Sequence, residues 1–144
     1  METVLILDFG AQYSQLIARR VREQNVYCEV KPCSISPAEI EKIAPIGIIL
    51  SGGPQSVYES VSPHVDPALF ALGIPVLGIC YGCQLMAYSL GGTVAAATEA
   101  TAREYGKTLT EFDTDCSIFQ GLPASSVTWM SHGDYISQVP DGFA

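Results

Sequence analysis

Apolar residues along this chain come in short, nearly unbroken runs, separated by stretches in which they recur about every third or fourth position. The first pattern suits strands covered on both faces and the second suits helices packed on one side. Their alternation predicts a parallel sheet wrapped by helices. Strands are predicted at residues 3–9, 26–31, 47–50 and 75–79. Residues 12–24 predict a helix with Tyr13, Leu16, Ile17 and Val21 on its buried face. Arg19, Arg20 and Arg22 fall near its end, where cations suit the helix dipole. Ser36-Pro37-Ala38-Glu39 has the form of a capping box with proline at the first helical position. Asp66-Pro67 can cap a short helix stopping at Gly73, and residues 81–90 predict a helix closed by Gly91-Gly92. Weaker strand signals follow at residues 93–97, 107–112 and 127–130. No internal repeat or domain boundary stands out. The expected fold is therefore one doubly wound α/β domain over residues 1–144, its sheet mostly parallel with helices on both faces.

Composition narrows the partners. Of the 144 residues 48% are hydrophobic and 15% charged, which excludes intrinsic disorder. Fifteen acidic residues against seven Lys and Arg leave a net charge of −8, so nucleic acid and anionic lipid are poor partners. No apolar stretch reaches the roughly 18 residues of a membrane-spanning helix, and no basic leader precedes the first apolar run. A cytoplasmic setting is expected, with the five cysteines as free thiols.

The chemistry concentrates where the fourth strand runs into a helix. Gly78-Ile79-Cys80-Tyr81-Gly82, with Gln84 beyond, has the form of a nucleophile elbow with cysteine in place of serine. Glycines on both sides permit a tight turn that lifts Cys80 to the carboxyl edge of the sheet, where doubly wound folds bind ligands. A helix N-terminus also suits a thiolate. The backbone N–H of Tyr81 would point at a developing oxyanion, a donor worth roughly 100- to 1,000-fold in rate. The competing reading is a small buried cysteine in a glycine-rich turn.

Cys80 and Cys83 also form a Cys-x-x-Cys pair at a helix start, the placement of a dithiol redox site. Cys28 and Cys33 are too widely spaced to complete a zinc site with them, so no metal is expected. Ser51-Gly52-Gly53-Pro54-Gln55-Ser56 has a superficial likeness to a phosphate loop, but no helix clearly follows it. It reads better as a glycine turn beside the elbow, with the N–H of Gly53 as a second oxyanion donor. Of the two histidines, His64 reads as surface. His132, near Asp134, could form a Cys-His-Asp set. The alternative, favoured here, is that Ser131-His132-Gly133-Asp134 is a turn lining the pocket.

Taken together these residues resemble the class I glutamine amidotransferases. Gly78 to Gly82 with Gln84 matches that family's G-x-C-x-G-x-Q signature. Residues 8–22, residues 50–54 with Val57-Tyr58-Glu59, and residues 130–134 resemble the branch that aminates XMP to GMP. The resemblance implies that Cys80 attacks the glutamine carboxamide, expels ammonia and leaves a thioester that water hydrolyses. It implies an oxyanion hole at Gly53 and Tyr81, and a glutamine pocket lined by Gln84, Ser131, Gly133 and Asp134. It also implies no cofactor for this domain, and ATP with Mg in an ATP-pyrophosphatase domain, fused or separate, of an enzyme that could be a homodimer. Cys83 stands where the family commonly has another residue. The family's catalytic His and Glu belong to a downstream His-Pro-Glu motif that this sequence does not contain. The domain is therefore expected to be incomplete at its C-terminus and inactive alone, with His132 matching the pocket motif and not the base. A dithiol oxidoreductase and a non-catalytic glutamine-binding module remain the alternatives.

Overall fold

The computed structural model describes residues 2–10, 12–96 and 104–144, with the side chains of residues 104, 105, 131 and 132 outside the description. Its contacts divide it into two units, one running to Val94 and including Ile136–Ala144, the other Ala95–Tyr135.

The first unit is built on four parallel strands, β1 (Thr3–Asp8), β2 (Tyr27–Pro32), β3 (Gly47–Leu50) and β4 (Val76–Gly78), in the order β2-β1-β3-β4. Between them run α1 (Ser14–Glu23) and α2 (Pro37–Ile43), and α3 (Tyr81–Ser89) follows β4. Alternating strand residues feed two cores. Val4, Ile6, Cys28, Val30 and Ile49 pack with Ile17, Ala18 and Val21 of α1. Leu5, Leu7, Ile48 and Leu50 pack with Ile40 of α2 and Leu85 of α3. Each fully buried Leu or Ile contributes about 1.5–3 kcal/mol. Covering both faces is what requires the strands to be apolar throughout.

This is the doubly wound, parallel architecture expected, and several local signals work as read. Ser36 Oγ accepts from Glu39 N while Glu39 Oε2 accepts from Ser36 N, closing the capping box of α2. Asp66 Oδ1 accepts from Ala68 N at 2.9 Å and starts a 3-10 turn, Pro67–Ala71. Two readings are corrected. Tyr13 and Leu16 are exposed, and α1 instead buries Ser14 and Ala18. The small Ala18 lets the helix approach Ile6 and Cys28 closely, and the Ser14 hydroxyl donates to Asp8, so apolar size alone misplaces the face. The segment 131–134 is not a turn: β7 (Ser125–His132) and β8 (Asp134–Gln138) run through it, leaving only Gly133 between. The end of the strand predicted at 93–97 lies outside the described residues; β5 is Thr93–Ala96 and pairs with β8.

In the second unit β6 (Glu104–Glu111) pairs antiparallel with β7 along its whole length, Leu109 opposite Val127 and Lys107 opposite Trp129. All four side chains are exposed. Lys107 Nζ lies 5.7 Å from the Trp129 ring centroid.

Candidate active site

In the order β2-β1-β3-β4 the chain moves from β1 out to β2, then crosses back to β3. The loops leaving β1 and β3 therefore part between adjacent strands, which is where such sheets leave a crevice at their carboxyl edge. Hydrogen bonds knit these two loops together. Asp8 Oδ1 accepts from the Ser14 hydroxyl at 2.7 Å and from Gly10 N at 2.9 Å. The Ser51 hydroxyl, fully buried, accepts from Phe9 N at 3.3 Å and donates to the Gly52 carbonyl at 3.1 Å. The strand end Asp8 and the buried Ser51 were read only as parts of motifs. A carboxylate closing a strand and a serine ending an apolar run are the signals that could have marked them.

Cys80 caps α3 with φ 51° and ψ −116°, a left-handed backbone that a side-chain-bearing residue adopts at a cost of about 1–3 kcal/mol. The turn is held from several sides. Ile79 N donates to the Leu50 carbonyl at 3.0 Å, Gly82 N to the Ser51 carbonyl at 3.1 Å, and Cys83 N and Gln84 N to the Cys80 carbonyl. Both flanking glycines are sterically required. A Cβ on Gly78 would lie 2.6 Å from Cys83 Cα, and one on Gly82 would overlap the Leu50 carbonyl. α3 is thereby pressed onto the ends of β3 and β4, and the Cys80 side chain is left exposed. A packing cysteine would be covered, as Cys28 is at 1% exposure.

The structure brings Gly52 to Cys80, and Gly53 to Tyr81 and Phe9. A Cβ on Gly52 would stand 3.5 Å from the Cys80 Cβ. One on Gly53 would stand 3.4 Å from Tyr81 Cγ and 3.2 Å from the Phe9 carbonyl oxygen. The N–H of Tyr81 is the first of its helix, so no carbonyl of that helix lies behind it. Gln84 is buried one turn further on. Burial pushes the half-buried Cys83 thiol above its ordinary range, and the neighbouring Cys80 adds to the shift. Ser131, Gly133 and Asp134 belong to the second unit, the Ser131 side chain lying outside the description. His64 is exposed, its Nδ1 2.7 Å from the Ser62 carbonyl.

A separate cavity of about 400 Å³ opens between β2 and α2, lined by Lys31, Ser34, Ile35, Glu39 and Lys42. None of the elbow residues lines it, and its size does not outweigh the geometry at Cys80. Among the described residues no three His, Cys, Asp or Glu side chains cluster as a metal would need, and no helix is long and apolar enough to cross a membrane.

The family described as "Glutamine amidotransferase class-I" matches residues 5–144. A GMP synthase [glutamine-hydrolyzing] of Natranaerobius thermophilus is 55% identical over 142 residues, covering 99% of this chain and 27% of the relative. This chain thus spans about a quarter of the length of that curated relative. Among solved structures, a Thermoplasma acidophilum protein assigned as one of the subunits of a GMP synthase aligns with TM-score 0.79 and 29% identity, over 98% of this chain and 69% of the other. A glutamine amidotransferase of Thermotoga maritima shares the fold, with TM-score 0.71 and 23% identity over 96% of this chain and 63% of the other.

Proposed function

The chain belongs to the class-I glutamine amidotransferase family, and on that premise we propose that Cys80 is the nucleophile that removes the amide nitrogen of glutamine. The observation that carries this is the exposed thiol on a strained left-handed residue at the strand–helix junction, with Gly52 against it. Sγ attacks the carboxamide carbon and the C–N bond breaks. The thiol proton leaves with the nitrogen as ammonia, and a γ-glutamyl thioester remains. Water then attacks the thioester, releasing glutamate and restoring the thiol. The amides of Gly53 and Tyr81 hold the oxyanion in both steps. Gln84, buried one turn into α3, serves the glutamine site. No metal or cofactor takes part in these steps.

The names of the curated relatives support a wider role, in which the ammonia aminates XMP to GMP in purine nucleotide synthesis. In that role an ATP-pyrophosphatase domain, fused or separate, activates XMP with ATP and Mg, and the enzyme is cytoplasmic and could dimerise. The base that serves Cys80 belongs to a His-Pro-Glu motif, which residues 1–144 do not contain. The activity is to be measured on a protein of the length of the curated relatives, of which these residues span about a quarter.

Intact-mass analysis of that protein, quenched during turnover of glutamine, tests the proposal. A γ-glutamyl adduct mapped to Cys80 is expected. Turnover with no adduct at any time, or with one on another cysteine, would remove Cys80 from the role. The Cys-x-x-Cys alternative separates cleanly, because Cys83→Ser would abolish dithiol chemistry and leave glutamine hydrolysis largely intact.

A further inference from the structure

Two contacts of the Tyr81 side chain fall on the loop that carries Gly53, and a third falls on Phe9 beside it. The Tyr81 hydroxyl donates a 2.6 Å hydrogen bond to the Pro63 carbonyl. The Tyr81 ring lies 5.5 Å from that of Phe9, tilted by 53°. Gly53 fits between that ring and the Phe9 backbone, with no room for a larger residue to settle freely. The loop leaves β3 at Ser51, whose hydroxyl anchors its start through Phe9 N. Pro63 lies at its far end, so the phenol closes what the serine opens. Tyr81 is 2% exposed, and burial pushes its phenol above the ordinary range, which keeps the hydroxyl a donor at any working pH.

We infer that Tyr81 is a positioning residue, its phenol tethering the 51–63 loop so that the amides of Gly53 and of Tyr81 itself stay at a fixed separation beside Cys80. The inference rests on the glutaminase reading above. One residue then supplies a backbone donor, the wall that Gly53 packs against and the tether of the loop that holds Gly53. Such a device acts on the charge that develops during reaction more than on the bound substrate.

The test is Tyr81→Phe, which removes one oxygen and keeps the ring against Gly53 and Phe9, with Tyr81→Leu as a second variant that removes the wall too. Both are measured in the full-length protein, on the monodisperse fraction. For Tyr81→Phe, kcat for glutamine hydrolysis should fall about tenfold, the worth of one hydrogen bond, with KM nearly unchanged. Tyr81→Leu should fall further. Affinity for glutamate γ-semialdehyde, whose hemithioacetal needs the oxyanion donors, should weaken by the same factor as kcat. Alkylation of Cys80 by iodoacetamide, which needs no oxyanion, should keep its rate. A Tyr81→Phe enzyme with kcat and aldehyde affinity intact would overturn the inference, as would a loss confined to KM. If instead Cys80→Ala still hydrolysed glutamine, the glutaminase reading itself would fall, a different and separable result.

Discussion

Gly82 lies so close beneath the Leu50 carbonyl that a single methyl group on its Cα would overlap that oxygen. The contact locks α3 onto β3 and, with it, the turn that presents Cys80. Gly82→Ala should therefore cost about 1–3 kcal/mol of stability or more through overpacking, and glutamine hydrolysis should be lost in whatever folds. Gly78→Ala, with its Cβ 2.6 Å from Cys83 Cα, should behave alike. Denaturant midpoints and activity, measured together on each variant, check this.

The strain at Cys80 gives a second expectation. Its φ of 51° suits glycine and not a side-chain-bearing residue. Cys80→Ala and Cys80→Gly both remove the proposed nucleophile and should be inactive. Cys80→Gly should nonetheless be the more stable of the two by about 1 kcal/mol, the relief of strain exceeding the added freedom of the unfolded chain. Equal denaturation midpoints would mean the turn stores no strain.

Ser51 is predicted to matter for stability through its hydroxyl. Ser51→Ala would leave the buried Phe9 N–H without its acceptor, which costs about 1–3 kcal/mol. Because the same hydroxyl anchors the loop that carries Gly53, activity should fall as well. Urea unfolding of the purified variant measures the first effect.

Cys83 predicts an alkaline signature. Burial raises its thiol pKa, so the native state holds that proton more tightly than the unfolded chain does. The stability this contributes is intact below the unfolded thiol value of about 8.5 and is lost as pH rises through the raised native value. Cys83→Ser should lessen the alkaline fall in melting temperature, and Cys33, raised by burial as well, contributes in the same direction.

Trp129 is the only tryptophan, and it is 74% exposed on the β6–β7 ribbon. In the 144-residue chain its emission should resemble that of tryptophan in water and be readily quenched by iodide. A blue-shifted, protected emission would mean that this face is covered in solution.

Much of this was legible in the sequence. The β-branched runs and the Ser36–Glu39 capping box act through near neighbours, so local chemistry determined them; the Gly78–Gly82 elbow was legible as a motif, although the contacts that hold it reach back to Leu50 and Ser51. The face of α1 was not legible, because burial of Ser14 and Ala18 follows from a hydrogen bond to Asp8 and close approach to Cys28, contacts made to the strands on either side and not within the helix. The extent of β6 and β7 was underestimated because alternation there is weak: Leu109, Val127 and Trp129 are apolar yet exposed. At the candidate site, Cys80, Tyr81 and Gly53 were singled out by motif. The hydrogen bonds of Ser51 to Phe9 and of the Tyr81 phenol to Pro63 join residues far apart in the chain and could not be read from it.

The most direct test of the central claim is glutamate release from glutamine by the full-length gene product, measured beside Cys80→Ala and Cys83→Ser. The account predicts hydrolysis by the unsubstituted protein, none by Cys80→Ala, and near-normal hydrolysis by Cys83→Ser. Undiminished glutamate release by Cys80→Ala would contradict it.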